Sequence, residues 1–363
     1  MGAISIAMIS DFFHPAVGGV ENHIYMLSGN LIRRGHKVFD KLPNHGDRVG
    51  IRWLLPSLKV YYIPFLPIAS SATLPNFFTS LPYLRTILLR EHIHLIHAHA
   101  SLSSIGHEGI LHSHLMGIRT VFTDHSLFGF DDAASILTNK LLVGTLKNVD
   151  AIICVSHTGR ENTVLRGQLF ERNEDDLNIL EMRKSIYVIP NALVAEQFTP
   201  SMLPASQTST RGDGPKLIDL LQMREKYLLQ DRIELLGPIR HKDVLSVLSR
   251  GSIFMNTSLT EAFGIAILEA ACAGLYVVST RVGGVPEILP EDMISFAEPE
   301  EDDVVRAISE AVHIVAKGKH DPFRAHERIK TFYNWEDVAI RTERVYEAVM
   351  QSRQMELMER IRR

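Results

Sequence analysis

Short apolar runs alternate with helix-like segments through the first half of the chain. The run from Ile4 to Ile9 precedes a glycine pair, Gly18 and Gly19, and residues 21–34 then repeat apolar positions at a helical spacing. The alternation continues, with strands predicted at 95–97, 120–123, 151–155 and 187–189 and helices at 103–116, 135–146 and 158–166. This pattern predicts a parallel sheet that is covered by helices on both faces.

A second series of the same kind follows a loop rich in Ser, Thr, Pro and Gly at 196–214. Strands are predicted at 232–236, 253–256, 276–279 and 294–296, and helices at 216–229, 242–249, 262–273 and 302–316. The chain is therefore predicted to be an α/β protein with two doubly wound, Rossmann-like domains, at 1–190 and 191–335. A charged, partly exposed helical tail is predicted at 336–363.

Composition narrows the classes of function. The 363 residues suit two domains, and 38 basic against 42 acidic residues give a net charge of −4, which offers no general attraction to nucleic acid. Cys154 and Cys272 lie in apolar runs, as is typical of buried, reduced thiols in the cytosol. We expect no secretory signal at the start of the sequence and no membrane span within it.

The first candidate site residues follow predicted strands. Open parallel sheets bind ligands beyond the carboxyl ends of their strands, and two facing domains would form one cleft between two such edges. Gly18 and Gly19 follow the first strand, where the missing Cβ atoms let a phosphate or sugar approach the backbone. A simple turn is the alternative interpretation of this glycine pair.

The segment from Asn256 to Glu269 is more specific. It runs from a strand end into a predicted helix, so that free N–H groups and the helix dipole would face a diphosphate. Eight helical residues rise about 12 Å, which would let Glu261 face a transferred sugar while Glu269 faces a ribose. A capped amphipathic helix with two solvated glutamates is the alternative.

Histidines supply the remaining candidates. His125 stands between Asp124 and Ser126 at a strand end, where its imidazole would enter the cleft. A structural role is the alternative interpretation of this histidine. His97 and His99 lie on one face of an extended segment, but no carboxylate or cysteine accompanies them at a persuasive spacing, and the sequence predicts no metal site. A serine hydrolase is not supported, because the Gly-x-Ser-x-Gly motif is missing.

Several strings taken together resemble the retaining glycosyltransferases of the GT-B class. They are Ser10 to Glu21, Asp124 to Phe130, Ile189 to Asn191, Glu261 to Glu269 and Ser279 to Glu287, of which the glutamate pair is similar to the E-x7-E motif of that class. The strings at 123–130 and 256–263 resemble more closely the family of phosphatidylinositol N-acetylglucosaminyltransferase catalytic subunits. The resemblance covers most of residues 3 to 347.

This resemblance implies a retaining transfer of N-acetylglucosamine from UDP-GlcNAc to phosphatidylinositol, which starts glycosylphosphatidylinositol (GPI) anchor assembly. It also implies that the protein acts on the cytosolic face of the endoplasmic reticulum, together with other subunits of a membrane-bound complex. The reaction is expected to need no metal and no separate cofactor. The resemblance also implies a role for each matching residue. Gly18 and Gly19 would approach the donor phosphates, and His125 would line the sugar pocket. Glu261 would hold the sugar and diphosphate together with Phe263, Gly264 and Ile265, while Glu269 would bind the ribose and Gly237, Pro238 and Ile239 would border the uracil. Glu261 and His125 are thus the candidate catalytic residues.

The sequence also departs from the family pattern. The Ser-Arg…Lys-Gly segment that would neutralise the donor diphosphate is missing, and a low-complexity stretch leads directly to residues 212–216, which predicts the loss of a strand–helix–strand block. A second gap is predicted after Val38, because residues 39–45 stand where an apolar strand is expected. The C-terminal membrane helix of the family is absent too, so membrane attachment is expected through partners or through an anchor that this sequence lacks.

From these departures we expect a shortened product with weak or no activity by itself, because lost central strands expose apolar faces and backbone groups. Lys216 and Arg211 are conceivable substitutes for the lost cations. Two other functions remain open. One is a retaining GT-B transferase with a soluble acceptor, and the other is a non-catalytic interaction subunit.

Overall fold

The structure is a computed structural model that describes residues 2–14, 18–43, 49–63, 77–127, 133–172, 180–201, 208–210, 216–354, 356 and 358. Its contacts divide the chain into two compact units. The first unit contains 1–192, 261–263 and 335–363, and the second contains 193–260 and 264–334. The helical segment after residue 335 therefore belongs to the first unit by its packing.

An eight-stranded sheet forms the centre of the first unit, in the order β10-β7-β6-β5-β1-β2-β4-β3. The strands of this unit are β1 (Ser5–Ile9), β2 (Lys37–Pro43), β3 (Gly50–Leu55), β4 (Leu58–Ile63), β5 (Leu95–His99), β6 (Arg119–Asp124), β7 (Ala151–Cys154), β8 (Phe170–Arg172), β9 (Leu180–Met182) and β10 (Ile186–Val188). All neighbours in the sheet are parallel except β3, which runs antiparallel to β4, and β8 pairs separately with β9. The predicted parallel sheet is confirmed.

The helices of this unit follow the strands in the predicted alternation. They are α1 (Gly19–Arg33), α2 (Phe77–Arg90), α3 (Ser104–Met116), α4 (Ala133–Leu146) and α5 (His157–Gly167). Two begin at serine caps, since the Oγ atoms of Ser103 and Ser156 accept hydrogen bonds from the backbone N–H groups of Gly106 and Gly159, both at 3.0 Å. These caps satisfy donors of the first helical turn that have no partner inside the helix.

The centre of the sheet is buried on both faces, as expected for parallel strands that are covered by helices. Every residue of β1 and β5 is buried, and the core continues through Phe122 of β6 and Ile152 of β7. Cys154 and Cys272 are both buried and unbonded, and burial raises the pKa of each thiol to about 12. Both therefore remain protonated thiols at neutral pH, in agreement with their apolar surroundings in the sequence.

The predicted gap after Val38 is wrong. Residues 37–43 form β2, which pairs in parallel with β1 on one side and with β4 on the other. The sequence of β2 mixes apolar and charged residues, but two neighbouring strands supply backbone partners along its whole length. The β3–β4 hairpin and α2 also escaped prediction, although the buried residues Leu84, Ile87 and Leu88 of α2 recur at a helical spacing.

The second unit is built from shorter pieces. Its elements are β11 (Thr208–Thr210), α6 (Leu217–Lys226), β12 (Ile233–Leu235), α7 (Val244–Leu248), β13 (Ile253–Asn256), α8 (Ile265–Cys272), β14 (Tyr276–Thr280), β15 (Ile294–Ala297), α9 (Glu301–Ala316) and α10 (Pro322–Phe332). Its strands form a parallel sheet β13-β14-β15 and a separate parallel pair β11-β12. The predicted elements are present, but among the described residues no single sheet connects them.

Apolar side chains are exposed around these pieces. Helix α6 buries none of its residues, and the exposed fractions are 64% for Ile218, 80% for Leu228 and 52% for Met255, the last on the outer strand β13. Such side chains normally cover, or are covered by, neighbouring strands and helices. The arrangement fits the expected loss of a strand–helix–strand block next to β11 and β13.

The C-terminal helix α11 (Trp335–Gln351) packs against α1 of the first unit. Glu343 accepts hydrogen bonds from the Arg34 Nε–H at 2.8 Å and from His36 Nε2 at 2.9 Å. Val345 and Tyr346 are buried, so this helix has one covered face and one charged face. Within the described residues, no helix combines the length and the apolar composition that crossing a membrane requires.

A buried carboxyl lies inside the sheet, at Asp40 on β2. This side chain is 1% exposed, and the buried Ser28 hydroxyl is the polar group beside it. Burial raises the pKa of Asp40 well above its usual range, and the neighbouring Ser28 hydroxyl opposes the shift only in part. Above about pH 3.9, the folded protein therefore binds more protons than the unfolded chain, and its stability falls as the pH rises.

We expect Asp40→Asn to raise the free energy of unfolding at about pH 8 and to flatten its decline between about pH 5 and pH 8. Each pH unit over which only the folded state stays protonated is worth about 1.4 kcal/mol. Both tryptophans, Trp53 and Trp335, belong to the first unit, so tryptophan fluorescence during urea unfolding follows this unit. Exposed Glu161→Gln is the control; an unchanged pH profile in Asp40→Asn would contradict the assignment.

Candidate functional site

Polar residues collect where the central strands of the first unit end. Asp11 follows β1, and its Oδ2 accepts hydrogen bonds from Ser103 Oγ at 2.8 Å and from the Ile105 N–H at 3.1 Å. The Asp11 N–H donates in turn to Ser103 Oγ at 2.9 Å. The cap of α3 therefore also fixes Asp11, at the point where the chain leaves β1.

Asp124 fixes the neighbouring strand end. Its Oδ1 accepts from Ser101 Oγ at 2.7 Å, and its Oδ2 accepts from Thr163 Oγ1 at 2.8 Å. The Arg166 Nη1 lies 3.6 Å from Oδ2, and both side chains of this ion pair are buried. Because Asp124 directly precedes His125, this network positions the candidate catalytic histidine.

His125 stands within a group of four histidines. Its Nε2 lies 3.2 Å from His99 Nδ1, and its ring centroid is 4.6 Å from that of His23 and 5.5 Å from that of His99. His97 lies beside His99, with ring centroids 4.1 Å apart, and hydrogen-bonds Tyr346 of α11 at 2.7 Å. The sequence predicted His125 at this edge but not His23, which comes from α1.

Burial makes these imidazoles neutral at pH 7. It lowers the pKa of His23 to about 4 against the opposing hydrogen bond to Asn191, and it lowers the pKa values of His97, His99 and His125 well below the usual range. For the latter three, neighbouring histidines deepen the effect, since one protonated ring disfavours another. The group offers nitrogen lone pairs rather than positive charges.

Gly18 and Gly19 stand at the start of α1. Gly18 is the residue before the helix, and within the described residues no side chain caps it. Gly19 is exposed and Gly18 is half-buried, so the first-turn N–H groups lie near the surface. Such a helix start can accept an anion, and the proposed phosphate contact stays a prediction.

The second unit contains the predicted ribose residue. Glu269 lies on α8 with 8% of its surface exposed, and its Oε1 is 3.2 Å from His241 Nε2. Gly237, which precedes Pro238 and Ile239, has a φ of +64°, a left-handed conformation that favours glycine. The loop at 237–239, which is predicted to border the uracil, thus lies only two residues before His241. His241 in turn contacts the Glu269 carboxylate that is predicted to bind the ribose. His241 escaped prediction because it is a lone histidine between Arg240 and Lys242.

Helix α8 begins later than predicted. Gly264 has a φ of +83°, so the helix starts at Ile265 and not at 262. A glycine suits this position because a Cβ would strain a left-handed backbone. Glu261 is therefore not helical, and the estimate of about 12 Å between the two glutamates from helical rise does not apply.

Glu261 and Phe263 are grouped by their contacts with the first unit. Between them, the Ala262 carbonyl accepts a hydrogen bond at 2.7 Å from Ser156 Oγ, the residue that caps α5. Phe263 is buried and Glu261 is half-buried. Both candidate catalytic residues, Glu261 and His125, thus belong to the same compact unit.

Two protein families match the sequence. The family described as PIGA (GPI anchor biosynthesis) matches residues 43–132, and the family described as glycosyl transferases group 1 matches residues 210–320. The first match lies in the first unit and the second match lies in the second unit, apart from the three residues at 261–263.

Similar proteins extend over nearly the whole chain. The phosphatidylinositol N-acetylglucosaminyltransferase gpi3 subunit of Schizosaccharomyces pombe is 46% identical over 98% of this chain and 83% of its own length. The corresponding Arabidopsis thaliana protein, named for the same transferase, is 44% identical over 99% of this chain and 85% of its own length. Among solved structures, sucrose-phosphate synthase from Thermosynechococcus elongatus superposes with a TM-score of 0.74 at 18% identity, covering 96% of this chain and 99% of that one. The last likeness shows the GT-B fold.

The alignments also reveal internal gaps. The alignment with the S. pombe protein spans 392 positions, 29 more than the 363 residues of this chain. At least that many positions of the relative therefore face a gap here. The number of unmatched positions suits the size of a strand–helix–strand block, and the loss of this block from the second unit stays a prediction.

We expect Arg166→Met to destabilise the first unit by about 3–5 kcal/mol, because it leaves the buried Asp124 carboxylate without its cation. Urea unfolding followed by tryptophan fluorescence measures the loss. The double variant Asp124→Asn/Arg166→Met removes both charges and should recover part of the stability. A single variant within about 0.5 kcal/mol of the wild type would contradict the role of this ion pair.

Proposed function

The chain belongs to the family of phosphatidylinositol N-acetylglucosaminyltransferase catalytic subunits, and from this premise we propose that it transfers N-acetylglucosamine from UDP-GlcNAc to phosphatidylinositol. This reaction is the first step of GPI anchor biosynthesis. The activity is that of a retaining hexosyltransferase. UDP-GlcNAc is the donor substrate, and no separate cofactor is part of the proposal.

The observation that carries the proposal is the arrangement around Glu269. A buried carboxylate one turn into α8, a histidine at 3.2 Å and a left-handed glycine before the helix form a polar, conformationally fixed site. A ribose offers the hydroxyl donors that such a carboxylate accepts, and the start of a helix favours the diphosphate that follows. Uracil is assigned to the adjoining loop at 237–239.

On this proposal, the main electrostatic task of the protein is to stabilise the departing UDP. As the inositol hydroxyl oxygen forms its bond to the anomeric carbon, the bond from that carbon to the diphosphate oxygen breaks. Negative charge grows on UDP, and the hydroxyl proton passes to its diphosphate. Glu261 and His125 are proposed to hold the sugar in position for this displacement. The family's diphosphate-binding cations are missing from the sequence, so we propose that the chain binds its donor weakly.

We further propose that the chain acts on the cytosolic face of the endoplasmic reticulum as part of a membrane-bound complex. The names of the relatives support the complex, since each is called a subunit. The acceptor is a membrane lipid, which requires the site to reach a lipid surface.

A second candidate is a non-catalytic interaction subunit. The divided sheet and the exposed apolar side chains of the second unit favour it. A donor site requires a stably folded second unit, whereas a partner-binding surface on the first unit does not require one. It predicts co-purification with membrane partners together with no protection of the chain from proteolysis by UDP-GlcNAc.

We expect this chain to form N-acetylglucosaminyl-phosphatidylinositol from labelled UDP-GlcNAc in membranes that lack their own catalytic subunit. Glu269→Ala should lower product formation roughly 10- to 100-fold, since a hydrogen bond to a charged group contributes about 1.5–3 kcal/mol. Thin-layer separation of the labelled lipid measures the product. Soluble sugars added to a parallel reaction test the rival class of acceptor.

Glu310→Ala is the matched control, because this exposed glutamate lies on α9 of the same unit, away from Glu269 in sequence. It should leave product formation unchanged. No product from this chain, with a full-length relative active in the same membranes, would contradict the proposed activity and favour the interaction subunit.

A further inference from the structure

Three imidazoles from distant parts of the chain meet in the first unit. His23 comes from α1, His99 from the end of β5 and His125 from the residue after β6. Each offers one ring nitrogen, and these three nitrogens all lie within 4.8 Å of one another. His23 and His99 are buried, while His125 is half-buried and reaches the surface.

The spacing suits ligands of a single ion. Zinc binds imidazole nitrogens at about 2.0–2.1 Å in tetrahedral geometry, which places two ligand nitrogens about 3.3–3.5 Å apart. The distance from His99 Nδ1 to His125 Nε2 is 3.2 Å. The three nitrogens lie within 4.8 Å of one another, so the His23 ring needs to move by no more than about 1.5 Å to complete a tetrahedral set.

A neighbouring side chain fixes which nitrogen of His23 is available. His23 Nδ1 lies 2.8 Å from Asn191 Oδ1, an acceptor, so Nδ1 carries the hydrogen and Nε2 keeps a lone pair. Histidine ligands of metals commonly donate their second N–H to such an oxygen, which holds the ring in place. Asn191 therefore lies where such an oxygen would hold the ring of a metal-binding histidine.

The second ring nitrogen of His99, which is not the Nδ1 that faces His125, is unsatisfied in the described part of the chain. His99 is 0% exposed, and within the described residues its Nε2 has no hydrogen-bond partner. His97, by contrast, uses both ring nitrogens, with Tyr346 at 2.7 Å and Thr123 at 2.6 Å. The three rings are thus less fully paired than the fourth histidine beside them, which has a structural role.

We propose that His23, His99 and His125 form a binding site for one divalent ion of the zinc class. Three imidazoles leave a tetrahedral ion one further position, for water or another small ligand. Imidazole ligands favour zinc, cobalt, nickel and copper over magnesium and calcium, which prefer oxygen. The ion joins α1 to the ends of β5 and β6, and it is assigned no step in sugar transfer.

The test uses the full chain, purified without a polyhistidine tag, and Co²⁺ as the probe. The wild type should bind one Co²⁺ per chain with a visible ligand-field band, and Zn²⁺ should displace it. His23→Asn and His99→Asn should each weaken binding at least about 10- to 100-fold, and Asn191→Ala, which removes only the outer partner, about 10-fold. His92→Asn is the control, because His92 is exposed in the same unit and has a left-handed φ of +49° that asparagine tolerates.

Zn²⁺ should also raise the midpoint of thermal unfolding of the wild type and of His92→Asn, since an ion that binds only the folded state stabilises it. Should a histidine variant fail to fold, ¹⁵N NMR of the imidazoles in the wild type decides the matter. Stoichiometric Zn²⁺ should then shift three ring systems together. Co²⁺ binding that is equal in all variants, or imidazole signals that Zn²⁺ leaves in place, would overturn the proposal.

Discussion

The stability of the first unit depends on hydrogen bonds and ion pairs that polar side chains make at the ends of its buried parallel strands. A parallel sheet covered on both faces leaves its strand ends as the natural place for polar side chains, and most buried polar groups need hydrogen-bond partners. Ser103 and Asp11 join the end of β1 to α3, and the Asp124–Arg166 pair joins the end of β6 to α5. The same requirement brings α11 into the unit, where Tyr346 supplies a partner for His97.

This requirement explains why the candidate site lies where it does. The side chains that stabilise the strand ends also hold His125 in place, so that stability and the proposed sugar contact share one network. In the second unit, Gly264 and the Glu269–His241 contact form a comparable fixed point at the start of α8. The rest of that unit has fewer hydrogen bonds between strands, since its described strands are divided between two small sheets.

Much of the fold could be predicted from the sequence, because the spacing of apolar residues and the length of an apolar run can be read from neighbouring positions alone. The runs at β1, β5, β6 and β7 were recognisable for that reason. The strand β2 was not, since its charged residues are compensated by neighbours on both sides. The late start of α8 depends on one left-handed glycine, which no apolar period reveals.

The contacts between side chains were the least predictable part of the site. His23 and His125 stand far apart in the chain, and only the crossing of α1 over the strand ends brings their rings to 4.6 Å. His241 reaches Glu269 through a loop whose sequence has no distinctive motif. The motifs predicted which strand ends carry candidate residues, but tertiary packing decides which of those residues meet.

We propose that the nucleotide of the donor binds at Glu269, and calorimetric titration of UDP into the purified chain tests this most directly. We expect one binding site per chain, with affinity lowered about tenfold or more in Glu269→Gln and unchanged in Glu310→Gln. No heat of binding in the wild type, or equal affinity in Glu269→Gln, would contradict it.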